Sequence, residues 1–311
     1  MTTKPKTAFL FPGQGSQSIG MGKGFYDAFP EARRIFSEAD DILGAKISEI
    51  CFSGPEDRLK LTENTQPALL VVSTIAFRLL GIQPDLAAGH SLGEYSALLA
   101  AGALSFADAL RTVRSRGRYM QEAVPVGEGA MAAVLGLSME EIKGALDKVS
   151  SGIVEIANWN SLEQIVIAGH RKAVEEVTEA IKPARSVMLP VSAPFHSRLM
   201  KPAEERLAVD LDRVSFSDLS FPVITNVGAR PILTGKEARE GLKRQVSHPV
   251  LWYNSMERLR DEGIDVCLEL GSGKVLAGLM KRISRRWEPR PRIMNLESPE
   301  DLDRVRSVLQ A

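Results

Sequence analysis

Short apolar runs alternate along this chain with longer stretches of helical periodicity. Residues 7–11 form an apolar run closed by Pro12-Gly13, which predicts a buried strand feeding a loop. Residues 67–80 are apolar over a helical length and predict a central helix. Residues 86–90 predict a second short buried strand, with a helix over 93–101 directly after it. Ser105 is placed to cap a further helix over 106–124, with Asp108 three residues on.

The rhythm changes in the middle. Strands are expected over 130–135, 153–157, 164–168 and 186–190. Ser138 caps a helix to 149, with Glu140 and Glu141 near its positive end, and 172–181 is helical. Asn158-Trp-Asn-Ser161 reads as the turn between two of these strands. The order is β-α-β-β-α-β, the ferredoxin-like pattern, which can close on itself. An inserted small domain is therefore expected over 126–196, inside a large domain built from 1–125 and 197–311. Strands over 221–225 and 264–270, with helices over 235–246, 275–286 and 299–309, give that large domain the alternation of a mostly parallel α/β sheet.

The bulk numbers narrow the function. At 311 residues, 44% hydrophobic and 25% charged, the chain has the profile of an ordinary globular protein. Lys plus Arg equals Asp plus Glu at 39 each, which argues against a chain-wide grip on nucleic acid or anionic membrane. Cys51 and Cys267 are too few for a disulfide framework and read as buried thiols in a reducing compartment. No segment resembles a signal peptide or an apolar span of ~20 residues, so the cytoplasm is the expected location.

Candidate chemistry starts at Gly89-His90-Ser91-Leu92-Gly93. This is Gly-x-Ser-x-Gly between an expected strand and an expected helix, the setting of a nucleophile elbow. The turn would expose the Ser91 hydroxyl, and the Leu92 amide at the helix start could donate to an oxyanion. A serine nucleophile needs a base. His90 is next to Ser91 in an extended stretch, where successive side chains diverge. His170 has no acid pattern around it. His196 and His248 both remain candidates, and the seam between the two expected domains favours His196.

One arginine is misplaced. Phe106, Ala109, Leu110, Val113, Gly117, Met120 and Val124 mark the buried stripe of their helix, with Arg111, Arg114 and Arg118 opposite. At ~100° per residue Arg116 falls on the rim of that stripe. A guanidinium there needs an internal carboxylate partner, or it serves as a fork for a substrate carboxylate. Gly271-Ser-Gly-Lys274 fails the phosphate-loop pattern, because Leu268 and Val275 occupy two of its defining positions.

Five ordered segments carry a family resemblance: Phe11-Pro-Gly-Gln-Gly-Ser-Gln17, Gly89-His-Ser-Leu-Gly-Glu94, Arg116-Gly with Met120-Gln-Glu-Ala-Val-Pro125, Ala157-Asn-Trp-Asn-Ser161, and Pro190-Val-Ser-Ala-Pro-Phe-His196. Over nearly its whole length the chain resembles the malonyl-CoA:acyl carrier protein transacylases. The resemblance implies a hydrolase-like large domain with a ferredoxin-like insert. It implies Ser91 as nucleophile, His196 as base, Arg116 as clamp for the malonyl carboxylate, and Gln14 with Leu92 as the oxyanion hole. In that family a backbone carbonyl orients the histidine. Leu251 stands where members often carry glutamine, and is the candidate orienter here. Phe195 resembles the malonyl-selecting members.

No cofactor and no metal are implied. The substrates would be malonyl-CoA and acyl carrier protein, and a monomer is expected. Asn158 and Asn160 could line the coenzyme A path, although turn asparagines are common. Lys281, Arg282, Arg285, Arg286, Arg290 and Arg292 form a basic cluster, either a solvated helix end or a docking surface for an acidic carrier protein. The rivals are a serine hydrolase or thioesterase, a non-catalytic carrier-binding scaffold, and an acyltransferase of polyketide assembly.

Overall fold

The computed structural model describes residues 4–182, 184–191 and 193–310. The chain ends of the expected large domain, residues 1–3 and 311, lie outside the described residues, as does Ser192 of the Pro190–His196 segment. In chain order the strands are β1 (Thr7–Phe11), β2 (Leu86–Gly89), β3 (Gly129–Leu135), β4 (Val154–Ser161), β5 (Gln164–His170), β6 (Arg185–Met188), β7 (Val223–Ile224), β8 (Pro231–Ile232), β9 (Val266–Leu270) and β10 (Arg292–Leu296).

Two sheets result. The first has the order β10-β9-β1-β2-β7-β8 and is parallel except at β8. Its central strands β1 and β9 are buried along their whole length, which is why they read as continuous apolar runs rather than alternating ones. The second sheet is antiparallel, in the order β4-β5-β3-β6. With helices Met139–Leu146 and Arg171–Ala180 it makes the β-α-β-β-α-β unit. The fold is thus a mixed α/β body with a separate antiparallel sheet.

Alternation along β3 and β5 explains how the two bodies join. Ala130, Ala132, Val134, Ile165 and Ile167 face the small unit's own helices, packing with Ile142, Val174 and Val177. Met131, Ala133, Val166 and Ala168 point the other way and belong to the main core. A domain division at 126–196 remains our proposal.

The expected turn at 158–161 is a strand instead. β4 continues to Ser161, with irregular pairing to β5 between Ile156 and Asn158 and between Trp159 and Ser161. Its backbone also pairs across the seam. Trp159 N donates to Val250 O at 2.9 Å, and Val250 N donates to Ala157 O at 2.9 Å. A strand partner on each side satisfies the backbone, which local turn propensity could not register. Helix Lys201–Asp212 and strand β10 were not anticipated from the pattern. Among the described residues, no helix is long and apolar enough to cross a membrane. Cys51 and Cys267 are buried and unpaired, and burial pushes both thiols up to about 12.

Candidate active site

Ser91 sits between β2 and helix Leu92–Ala100 with φ 52° and ψ −108°, a backbone state that L residues rarely adopt. The flanking glycines are needed for contact rather than freedom. A Cβ on Gly93 would fall 1.9 Å from Phe11 O, and one on Gly89 would fall 1.9 Å from Gly93 O. The strained turn is pinned from outside. Asn226 Oδ1 accepts from Ser91 N at 2.7 Å, and its Nδ2 donates to Gly89 O at 2.6 Å.

His196, only 4% exposed, lies where the chain returns from the small sheet, and its φ is also positive at 60°. Its Nε2 is 2.7 Å from Ser91 Oγ, and its Nδ1 is 2.9 Å from Gln245 O. A carbonyl can only accept, so the hydrogen belongs on Nδ1 and Nε2 is free to accept from the serine hydroxyl. Burial, and next the Arg116 charge, pull the imidazole down to about 3, so it is neutral at ordinary pH.

The other histidines are placed elsewhere. His248 Nδ1 is 2.8 Å from Arg244 O, and His170 Nδ1 accepts from Ile153 N at 3.0 Å. His90 is beside the site, but its Nε2 is 2.8 Å from Asn160 Oδ1.

The His196 orienter is a correction to the sequence reading. Leu251 does not hold His196. Its carbonyl accepts from Ser255 N and Oγ, each at 3.0 Å, as the start of helix Trp252–Asp261. By Leu251 the chain has already turned into a new helix, and the carbonyl that reaches His196 is six residues earlier, at Gln245.

Arg116 is 1% exposed, on helix Phe106–Glu122. Nη1 donates to Gln66 Oε1 at 2.7 Å, and Nη2 donates to Gln245 Oε1 at 2.9 Å and to Ser91 Oγ at 3.1 Å. Its Nε is buried without a hydrogen-bond partner, and its Cζ lies 5.6 Å from the Tyr95 ring centroid. Among the described residues no carboxylate forms an ion pair with it, and neutral amides fix the guanidinium without cancelling its charge.

Gln14 and Leu92 line the same inner cavity as Ser91, Arg116, Met120, Phe195 and His196; its volume is about 110 Å³. An outer cavity of about 480 Å³ shares Gln14, His90, Asn158 and Leu189 with it, and is also walled by Asn160, Gln164, Lys274 and Arg282. The two are adjacent, with the smaller one holding Ser91 and the wider one beside it. Asn158 lines both cavities and Asn160 the outer one, carried there by the irregular strand β4.

Gly271–Lys274 forms a strand-to-helix turn after β9. Glu269 fills the following helix end, accepting from Leu276 N at 3.1 Å and Ala277 N at 2.8 Å. The six cations of the basic cluster are exposed, and among the described residues none is in an ion pair.

Comparison with known proteins fits this arrangement. Residues 8–289 match the acyl transferase domain family. The chain belongs to that family. It is 50% identical over 289 residues to a malonyl CoA-acyl carrier protein transacylase of Bacillus subtilis, covering 90% of this chain and 91% of that one. A malonyl CoA-acyl carrier protein transacylase structure from Coxiella burnetii superimposes with a TM-score of 0.95 at 39% identity, covering 100% of both chains. A malonyl-transacylase solved with a type II polyketide acyl-carrier protein gives 0.93 at 41% identity, over 98% of this chain and 99% of that one.

Gln245, Gln66, Asn226 and Glu94 had no assigned role in the sequence reading. Gln245 did leave a signal. With Ala238 and Leu242 it falls on the buried face of helix Gly235–Gln245, the same anomaly that exposed Arg116.

Proposed function

We propose that this chain moves a malonyl group from coenzyme A to the phosphopantetheine thiol of an acyl carrier protein, through an ester on Ser91. One observation carries the reading. Ser91 Oγ lies within hydrogen-bond reach of both a neutral imidazole and a buried guanidinium that has no carboxylate partner among the described residues, in a small cavity beside a wider one.

His196 Nε2 takes the Ser91 proton as Oγ attacks the thioester carbonyl. The amides of Leu92 and Gln14 receive the oxyanion. The C–S bond breaks, and the proton on Nε2 passes to the departing coenzyme A sulfur. In the second half the carrier thiol gives its proton to Nε2, its sulfur attacks the ester carbonyl, and the proton returns to Ser91 Oγ. Neither half requires a metal or a redox cofactor. Arg116 holds the malonyl carboxylate, and its fixed cation rewards an acyl group that brings an anion. A carbonyl orienter suffices because His196 needs only its tautomer fixed.

Close kinship with transacylases at 43–50% identity supports transfer over hydrolysis. Supply of fatty acid synthesis in the cytoplasm, as a monomer, is the setting we infer. A relative solved in complex with a type II polyketide acyl-carrier protein supports keeping that kind of carrier as the alternative recipient. The outer cavity would take the pantetheine arm, and Lys281, Arg282, Arg285 and Arg286 would receive the acidic carrier. Reversing charge at Arg285 and Arg286 should raise KM for carrier protein and leave KM for malonyl-CoA unchanged; equal effects would remove the docking surface.

The deciding experiment is intact-protein and peptide mass spectrometry after mixing with malonyl-CoA. The expected result is a malonyl adduct on the Ser91 peptide that is absent in Ser91→Ala and discharged by added carrier protein. Steady release of malonate without dependence on a carrier would make the protein a hydrolase.

A further inference from the structure

We propose that Glu94 is a positioning residue for this transfer. It sets which way the Gln245 side-chain amide faces, and through Gln245 it holds Arg116 and the Ser91 turn in register. The inference rests on the reading of Arg116 as the carboxylate clamp.

The argument is one of hydrogen-bond polarity. Gln245 is fully buried and stands between five groups of the site. Its Nε2 donates to Glu94 Oε2 at 2.8 Å and to Ser91 O at 3.0 Å, with Asn226 Oδ1 at 3.4 Å. Its Oε1 accepts from Arg116 Nη2 at 2.9 Å, and its main-chain carbonyl takes His196 Nδ1. Every neighbour on the nitrogen side is an acceptor, and the neighbour on the oxygen side is a donor. A side-chain amide turned over would face a donor with a donor and acceptors with an acceptor.

Glu94 is the strong acceptor that enforces this direction. It is 1% exposed, and its Oε2 also accepts from Asn226 N at 2.9 Å, so it anchors the residue that pins the elbow. Burial pushes its carboxyl up to about 7, but both donors meet the same oxygen, so the polarity holds in either protonation state. One carboxyl group thus steadies the nucleophile through Asn226, and the clamp through Gln245. A buried carboxyl with no hydrophobic return is otherwise a poor structural choice.

The test is Glu94→Leu, which roughly keeps volume and removes the acceptor that both donors share. Rates of Ser91 acylation by malonyl and acetyl thioesters are compared, with melting curves to confirm folding. The expected result is a fall of about 10-fold or more in malonyl kcat/KM, seen chiefly as a raised KM, with a smaller fall for acetyl. Glu94→Asp, which retains the acceptor, should lie between. If it alone folds, its malonyl-to-acetyl ratio carries the test, and a ratio unchanged from wild type would sink the proposal.

Combining Glu94→Leu with Arg116→Ala should lower the malonyl-to-acetyl ratio no further than Arg116→Ala alone, since the two act on one contact. Equal losses for both donors, or no loss in a folded variant, would overturn the positioning role. An unchanged ratio in Arg116→Ala itself would remove the clamp reading, and this proposal with it.

Discussion

The strand-to-helix turns after β2 and after β9 flank β1 on the same edge of the parallel sheet, and they treat the helix N-terminus in opposite ways. After β9, the Glu269 carboxyl group sits over the helix end and takes two of its N–H groups. After β2, Leu92 opens the helix into the inner cavity, and the nearby carboxyl, Glu94, points away towards Asn226 and Gln245. Burial pushes both carboxyls up to about 7. The pair teaches that a strand-to-helix turn is reactive when its N–H groups are left unfilled, and structural when the chain supplies its own acceptor.

The comparison can be broken most sharply at the elbow. Ser91→Ala should leave no acyl-enzyme and reduce transfer by at least about 10³-fold, measured by steady-state transfer to carrier protein. His196→Ala should cost about 10²–10⁴-fold, and in the wild type kcat/KM should show no ionisation near pH 6.5, because the imidazole is held down at about 3. A clear inflection near 6.5 would mean that the resting environment of His196 is more polar than described.

Arg116→Ala comes next. It should lower malonyl kcat/KM relative to acetyl by about 10²-fold, the size of a lost charge-assisted contact of about 3 kcal/mol. Parallel assays with the two thioesters measure it.

The sealed turn should give the smallest effect. Glu269→Gln should leave transfer intact and change only stability, followed by thermal melts across pH. The folded state raises the Glu269 carboxyl from 4.5 to about 7, so between those values the native chain binds the extra proton. That linkage favours the wild type most below about 4.5, and the advantage fades as pH rises through 7. The wild-type margin over the variant should therefore shrink with rising pH. A margin that grows would show that Glu269 is stabilised as the anion.

The readable and unreadable parts of the site differ in a physical way. Ser91 was legible because its chemistry needs a local turn, and that turn needs Gly89 and Gly93 at fixed spacing. Arg116 was legible because a cation breaks the apolar periodicity of its helix. Gln245 broke periodicity too, but an amide on a buried face is a quieter anomaly than a guanidinium. Its carbonyl contact with His196 spans 49 residues and leaves no side-chain trace. Asn226 lies 135 residues beyond the serine it pins, in a loop without period. The parallel sheet and the β-α-β-β-α-β order followed from patterning. The extension of β4 did not, because its outer partner is Val250, supplied from the other body.

That same stitch of β4 to Val250 governs how acyl donors come and go. Swinging the small sheet aside would rupture two main-chain hydrogen bonds and the His90–Asn160 contact before any passage widened. Any opening of the doorway by movement of the small sheet has to break those contacts first. While they hold, extra room beside Ser91 would come from rotamer changes in pliable lining side chains such as Met120 and Met131.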